Sequence, residues 1–407
     1  MKAISGDSTV VGALKILIHA VSAKSGGAVT HIENLARALA KIERPHRYIF
    51  YVPPAQARML AAQGNHDVVA TDVGAKPSWQ RLWWDQRVLR RIAKREGVDV
   101  IFSFSDFGML FPPCRQILMI QNSLHFSQLY HEEILPRKSR RFRLELSLRR
   151  WLIRLSAQSS DLVMTASRSM LSDVRRFIPI PDDKLAVNHF GVPLEKFCDR
   201  NRNGNDGGQV ADEVGGPGEE PLRLLYVSEY GEYKNFTTLL KALLLMKQQG
   251  THDFHLTTTA HPDQFPNSEI VGRQLDKDLV SHPLIAPHLT LTGYVPYGEI
   301  DQLYRQADLF IFPSLAESFG HPLVEAMAAG LPIVASDIPI CREICGEGAL
   351  YFDPLSPKDL SEKILALAGD PNLRHRLGKT GRTRAETYFD WERHAQRLIE
   401  LLEAVAL

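Results

Sequence analysis

Two carboxylates stand close together in the stretch 316–337, which reads AESFGHPLVEAMAAGLPIVASD: Glu317 lies just before a Phe-Gly-His-Pro turn, and Glu325 lies just beyond it. Pro322 falls where proline is tolerated, in the first turn of a helix. Gly330 falls where a helix ends on a left-handed residue. Residues 316–321 are thus delivered onto a helix N-terminus, whose unpaired N–H groups attract anionic or oxygen-rich ligands. A carboxylate that accepts from two vicinal hydroxyls is a sugar clamp. A pocket made for phosphate alone has no use for two carboxylates, so the pair points to a ligand with hydroxyls, such as ribose and hexose. Spacing alone also allows a surface Glu and a Glu that complements the helix dipole, and taken by itself it favours that ordinary reading.

Such residues need a scaffold. LKILIHA (14–20) reads as a buried strand, SAKSGGAVT as a flexible loop, HIENLARALAKI as a helix and RYIFYV (47–52) as a second strand. This βαβ opening fits a parallel sheet. DVIFSF (99–104), QILMIQN (116–122), DLVMTAS (161–167) and KLAVNHFGV (184–192) continue as strands. Further on, LRLLYVS (222–228), FHLTTTA (254–260), HLTLTGYV (288–295), DLFIFPS (308–314) and LPIVASD (331–337) read as strands. They alternate with helical periodicity at 236–249, 297–307, 321–330 and 356–370. Between the two sets, NRNGNDGGQVADEVGGPGEEP (201–221) has almost no large apolar side chain and reads as a flexible linker. The expected fold class is α/β: two Rossmann-like doubly wound domains, 1–200 and 222–389, facing across a cleft where open sheets bind ligands. YFDWERHAQRLIELLEAV supplies a final helix, taken as 390–407.

A chain of 407 residues suits two domains, and a net charge of +1 gives no global field toward nucleic acid. Cys114, Cys198, Cys341 and Cys345 are too scattered for a disulfide framework and read as free thiols of a cytoplasmic protein. The run VVGALKILIHAV is interrupted by Lys15 and His19 and reads as a buried strand rather than a signal peptide. No transmembrane stretch is visible. One local asymmetry stands out: RKSRRFRLELSLRRWLIR (137–154) interleaves Arg and Lys with apolar residues. It reads either as an interfacial helix for an anionic membrane surface or as a solvated basic face.

The run ESFGHPLVEAMAAGLPIVASDIPICREICGEGALYFDP, with ADLFIFPSLA before it, resembles the donor-binding segment of the retaining GT-B glycosyltransferases of the E-x7-E type (glycosyltransferase family 4, "glycosyl transferases group 1"). The likeness is clear over about 222–370 and looser in the first half. It implies a GT-B fold and roles for particular residues. Glu325 would hold the ribose hydroxyls of a nucleoside diphosphate sugar, and Glu317 the hydroxyls of the donor sugar. Lys234, followed by Asn235, matches the lysine that neutralises the diphosphate. Ser318, Phe319 and Gly320 would bring backbone to the sugar or phosphates, and Gly26 and Gly27 would approach the phosphates from the other half. Tyr294 and Val295 lie where relatives contact the base. His125, near the strand QILMIQN, could face the acceptor or donor sugar.

There are two departures. Relatives usually place Gly-Arg shortly before the lysine, whereas this chain has Ser228 and Glu229, so one cationic contact is missing and a carboxylate stands in its place. Lys24 is one candidate to compensate. Many relatives also have a His-Asp pair where this chain has Gln121 and Asn122. No D-x-D pair directly follows a strand, which argues for leaving-group stabilisation without metal, and no P-loop or G-x-G-x-x-G supports an NTPase or dehydrogenase. The expectation is a cofactor-free retaining hexosyltransferase. It would move a hexose from GDP-mannose or a UDP-sugar to a glycan or lipid-linked acceptor, in the cytoplasm or at the inner face of a membrane. The alternatives are a nucleotide-sugar-binding protein without transfer activity and a nucleotide-sugar epimerase of the same fold.

Overall fold

The computed structural model describes residues 12–23, 27–61, 66–197, 221–266 and 268–407. Lys24, Gly26, Cys198 and residues 201–220 of the expected linker lie outside them.

The first sheet has seven parallel strands in the order β3-β2-β1-β4-β5-β6-β7. They are β1 (Lys15–His19), β2 (Arg47–Val52), β3 (Asp67–Ala70), β4 (Val100–Ser103), β5 (Arg115–Ile120), β6 (Leu162–Thr165) and β7 (Leu185–Val187). The second sheet has six parallel strands in the order β10-β9-β8-β11-β12-β13. They are β8 (Leu222–Tyr226), β9 (Phe254–Thr258), β10 (Leu289–Leu291), β11 (Leu309–Phe312), β12 (Ile333–Ser336) and β13 (Ala349–Phe352). Before β8 the chain forms α1 (Gly27–Lys41), α2 (Pro54–Ala61), α3 (Ser78–Trp84), α4 (Arg90–Glu96), α5 (Gln128–Glu133), α6 (Arg140–Gln158), α7 (Arg168–Phe177) and α8 (Leu194–Phe197). The remaining helices are α9 (Phe236–Gln248), α10 (Arg273–Val280), α11 (Ile300–Gln306), α12 (His321–Ala328), α13 (Pro339–Cys345), α14 (Pro357–Gly369), α15 (Pro371–Tyr388) and α16 (Trp391–Ala406).

Strand order reverses between β1 and β4 in one sheet and between β8 and β11 in the other. At such switch points the loops leave in opposite directions and open a crevice at the carboxyl ends of the strands. The connections after β1, β8 and β11 lead to Gly27 at the start of α1, Lys234 and Glu317, so topology alone sends these residues toward crevices.

Several elements are shorter than their apolar runs. Only Leu185–Val187 of KLAVNHFGV is strand. The next residues turn to meet α16, where Asn188 Nδ2 donates to the His394 carbonyl at 3.0 Å and His394 Nδ1 meets the His189 carbonyl at 2.8 Å. Only Leu289–Leu291 of HLTLTGYV is strand, because Gly293 at φ 68° turns the chain outward. Conversely α1 starts at Gly27, so that glycine belongs to a helix and not to the flexible loop expected there. The final helix starts at Trp391, with the Asp390 carboxylate capping the N–H groups of Glu392 and Arg393; Tyr388 belongs to α15. That helix lies back on the first half: Ala395, Leu398 and Leu402 share one buried cluster with Ile32, Leu35 and Leu39 of α1, and with Phe190 and Phe319.

Helix α15 packs against α12 so closely that a Cβ built on Gly378 would lie 2.3 Å from the Gly330 carbonyl oxygen. Backbone cannot yield as a flexible side chain would. Gly378→Ala is therefore expected to cost about 1–3 kcal/mol through overpacking, read as a lowered urea midpoint at unchanged slope. An unchanged midpoint would mean that α15 can slide freely on α12.

Candidate functional site

The loop after β8 is a short turn, Glu232–Lys234, closed by Asn235 in the left-handed region at φ 57°. Asn235 Nδ2 donates to the carbonyls of Pro313 (3.0 Å) and Pro354 (2.8 Å), and its Oδ1 accepts from Thr238 at 2.7 Å. The Leu315 N–H donates to the Tyr233 carbonyl at 2.7 Å. These bonds fasten the loop after β8 to the loop after β11 and set Lys234 Nζ 2.6 Å from Glu317 Oε1. Asn235, expected as a ligand-binding residue, has its amide hydrogens committed to the Pro313 and Pro354 carbonyls and so holds the backbone next to Lys234. Burial opposes the charge on Lys234, but the adjacent Glu317 carboxylate outweighs it and holds the pKa above the ordinary lysine value. Lys234 is thus a fixed cation.

Helix α12 begins on Gly320, which is left-handed at φ 83°. The other end closes as a Schellman motif: Leu331 N–H donates to the Ala326 carbonyl at 3.0 Å and Gly330 N–H to Met327 at 2.9 Å, with Gly330 at φ 69°. Phe319 is buried against Phe190, His321 and Phe389, so only its backbone could meet a ligand. The Ser318 carbonyl accepts from Ser167 Oγ of the first half at 2.8 Å. Across the cleft, a Cβ on Gly27 would lie 3.5 Å from the His321 ring. The N-termini of α1 and α12 therefore converge from opposite halves, and the Lys234 charge is felt at His321. Two positive helix ends beside a fixed ammonium form a place for an anion.

Glu325 lies within α12. It is buried and accepts from the Tyr304 hydroxyl at 2.7 Å, and the Tyr297 phenol also favours its charged form. Burial raises its pKa, against the pull of both hydroxyls and of Lys196. Lys196 lies over the Tyr297 ring at 4.1 Å and donates to its carbonyl. Glu325 thus already accepts from a hydroxyl. Tyr294 is 83% exposed beyond Gly293, and Val295 packs partly buried on the core, so the two do not face one ligand in the same way. Glu229 is exposed, and Lys234 pairs with Glu317 rather than with it. His125 is buried on a short turn after β5 with Nδ1 unpartnered. Burial lowers its pKa, and the charges that act on it, Asp106, Arg149 and Arg150, all belong to the first half.

Contacts that spacing did not reveal hold the halves together. Glu343 of α13 accepts from His189 Nε2 at 2.8 Å and from the N–H groups of Arg168 and Ser169 at 2.8 and 2.7 Å, at the start of α7. Lys138 and Glu232 form a buried pair at 2.8 Å. Near the first of these, His31 is enclosed by Phe104, Phe190, Trp391 and His394 at ring distances of 4.3–5.1 Å, with neither nitrogen partnered. Burial first, then neighbouring histidines, pushes its pKa down; burial likewise lowers His321 and His394 to about 4. In the unfolded chain these rings take protons near pH 6.5. Stability is therefore full above that value and is lost as pH falls toward 4, at about 1.4 kcal/mol per pH unit for each ring. The urea midpoint is expected to drop steeply between pH 7 and pH 5, and less steeply in His31→Phe. A flat profile would contradict it.

Two doubly wound parallel sheets facing across a cleft, with the switch-point loops turned into it, make this a GT-B protein. Residues 25–196 match the profile described as "Glycosyltransferase Family 4" and residues 210–384 that described as "Glycosyl transferases group 1". The chain belongs to these glycosyltransferases. It is 28% identical to spore coat protein SA of Bacillus subtilis, over 59% of this chain and 64% of that one. It is 26% identical to the MMP alpha-(1->4)-mannosyltransferase of Mycolicibacterium hassiacum, over 61% of this chain and 55% of that one. The chain thus matches less than two thirds of the length of these curated relatives. Among solved structures it resembles Anabaena HepE, crystallised with UDP and glucose, at a TM-score of 0.66 and 17% identity over 96% of this chain and 99% of that one. Among the described residues no helix is long and apolar enough to cross a membrane.

Proposed function

We propose that the protein transfers a hexose from a nucleoside diphosphate sugar to an acceptor hydroxyl, with retention at the anomeric carbon. The observation that carries this reading is the Lys234–Glu317 pair beside the convergent N-termini of α1 and α12, with the hydroxyl-accepting Glu325 on the same helix. Lys234 and the helix N-termini face the diphosphate and stabilise the charge that develops as it leaves. Glu317, held by Lys234, accepts hydroxyls of the transferred sugar. Glu325 takes the ribose hydroxyls, with a diol replacing the Tyr297 phenol. Closure of the two halves excludes water and limits hydrolysis. With this cationic provision the reaction needs no metal ion, so a chelator should leave the rate unchanged.

The donor is GDP-mannose or a UDP-sugar: a relative named as a mannosyltransferase supports the first, and a solved neighbour holding UDP supports the second. The acceptor belongs to polysaccharide or lipid-linked glycan synthesis. Saturation-transfer NMR with GDP- and UDP-sugars selects the donor, and the anomeric coupling of the product reports retention. A product of inverted configuration would overturn the mechanism. A second reading, binding without transfer, draws on the Lys234 charge being already compensated by Glu317 while Glu229 stands nearby. Tight donor binding with neither transfer nor hydrolysis across an acceptor panel would favour it.

A further inference from the structure

The first half carries features that transfer chemistry does not use. On the face of its sheet opposite α1 and α16, two helical columns stand side by side. One is α3, a π-helical turn at Asp85–Leu89, and α4, packed through Leu89 and Ala93 on Leu17 and Ile101. The other is α6, packed through Ile153 and Ala157 on Leu118 and Val163. The segment between β4 and β5 bridges them: Gln86 accepts from the Leu110 N–H at 2.8 Å, and Ser156 Oγ lies 3.4 Å from the Gly108 carbonyl that it donates to.

An ordinary surface helix has one apolar stripe, turned to the core. Helix α6 has a second, on the opposite side: Leu144, Leu148 and Trp151, at i, i+4 and i+7. The exposed Arg140, Arg141, Arg143 and Arg154 flank it. The neighbouring column exposes Trp79 and Trp83 one turn apart, followed by exposed Arg87, Arg90, Arg91 and Lys94, and the bridging segment exposes Phe111. These six apolar side chains are 54–73% exposed. Segments 76–97 and 137–158 hold seven and eight basic residues against two and one acidic, a net +12 in a chain whose total is +1. Residues outside them are therefore net acidic, and the field is concentrated on one face.

We propose that this face docks on an anionic lipid bilayer. The tryptophans, Phe111 and the leucines enter the interfacial zone while the arginines meet lipid headgroups. Charge complementarity selects an anionic partner, and the outward leucines select lipid. A nucleic acid backbone would use the arginines and could stack bases on the aromatic rings, but it gains nothing from Leu144 and Leu148. Helices α3 and α6 both begin at the carboxyl edge of the sheet, where Gly27 lies, so docking sets the mouth of the cleft beside the bilayer.

The test uses the full chain with vesicles of phosphatidylcholine alone and of phosphatidylcholine mixed with phosphatidylglycerol. Co-sedimentation is expected only with the anionic vesicles, falling as salt rises, with a blue shift of tryptophan fluorescence. Leu148→Glu/Trp151→Glu is expected to weaken binding at least about tenfold, and Arg90→Glu/Arg91→Glu to weaken it and flatten the salt dependence. All four positions are exposed, and unchanged thermal unfolding and nucleotide binding confirm an intact fold. The proposal is overturned if the wild type ignores anionic vesicles, if the Leu148/Trp151 variant binds them as the wild type does, or if the protein binds oligonucleotide while leaving vesicles unbound. Lipid binding is read without donor or acceptor, so its failure is distinct from failure of the transferase reading.

Discussion

Lys234→Ala is expected to lower the rate of sugar transfer by about 10²–10³-fold, the loss typical of deleting one preorganised group aimed at developing charge. The leaving diphosphate gains charge as the glycosidic bond breaks. Lys234 is the ammonium fixed beside the converging helix ends, held 2.6 Å from Glu317 and kept protonated by it. Its removal also strands a carboxylate that is only 11% exposed, so part of the effect could be lost stability rather than lost catalysis. The double variant Lys234→Ala/Glu317→Gln separates the two. It should recover thermal stability over Lys234→Ala, because the stranded charge is gone, while transfer stays low. Single-turnover rates at saturating donor provide the measurement. A Lys234→Ala enzyme within about threefold of wild type would remove this lysine from the mechanism.

Glu325→Ala should act on binding where Glu317→Ala acts on turnover. Hydrogen bonds to a charged acceptor contribute about 1.5–3 kcal/mol each, so losing the ribose acceptor should weaken nucleoside diphosphate binding by about tenfold to a hundredfold in titration calorimetry. In the proposed reaction Glu317 accepts from the sugar, and it is paired with Lys234, so its loss should lower kcat more than it lowers affinity for the bare nucleotide. Glu325→Ala also leaves the Tyr304 hydroxyl buried without its acceptor, which costs stability. Tyr304→Phe/Glu325→Gln serves as the control, since it removes both the orphan and the charge. Wild-type kinetics in both single variants would mean that the residue roles are wrong.

The segment around residues 308–337 was readable because its structure is local. An apolar β-run, a proline in the first turn and a glycine cap all act within one or two turns of chain, and the strand and helix fall where those signals place them. Gly27 illustrates the limit. Its neighbours suggested a loop, yet it opens α1 and faces His321, almost 300 residues away. The same holds for α3 and α4: Trp79, Trp83 and the basic residues after them have an unremarkable sequence, and gain meaning only beside α6.

The sequence by itself determined the alternation of strands and helices, the glycine cap that ends α12 and the presence of two carboxylates near a helix start. Only the tertiary structure decided what those carboxylates do. Lys234 and Glu317 are 83 residues apart, and Asn235 joins their loops by a bond to Pro313. Glu325 meets the Tyr304 phenol carried by α11. The physical reason is that periodicity reports which side of its own element a residue occupies. Which elements face one another is set by crossovers in a parallel sheet and by the packing of one half on the other.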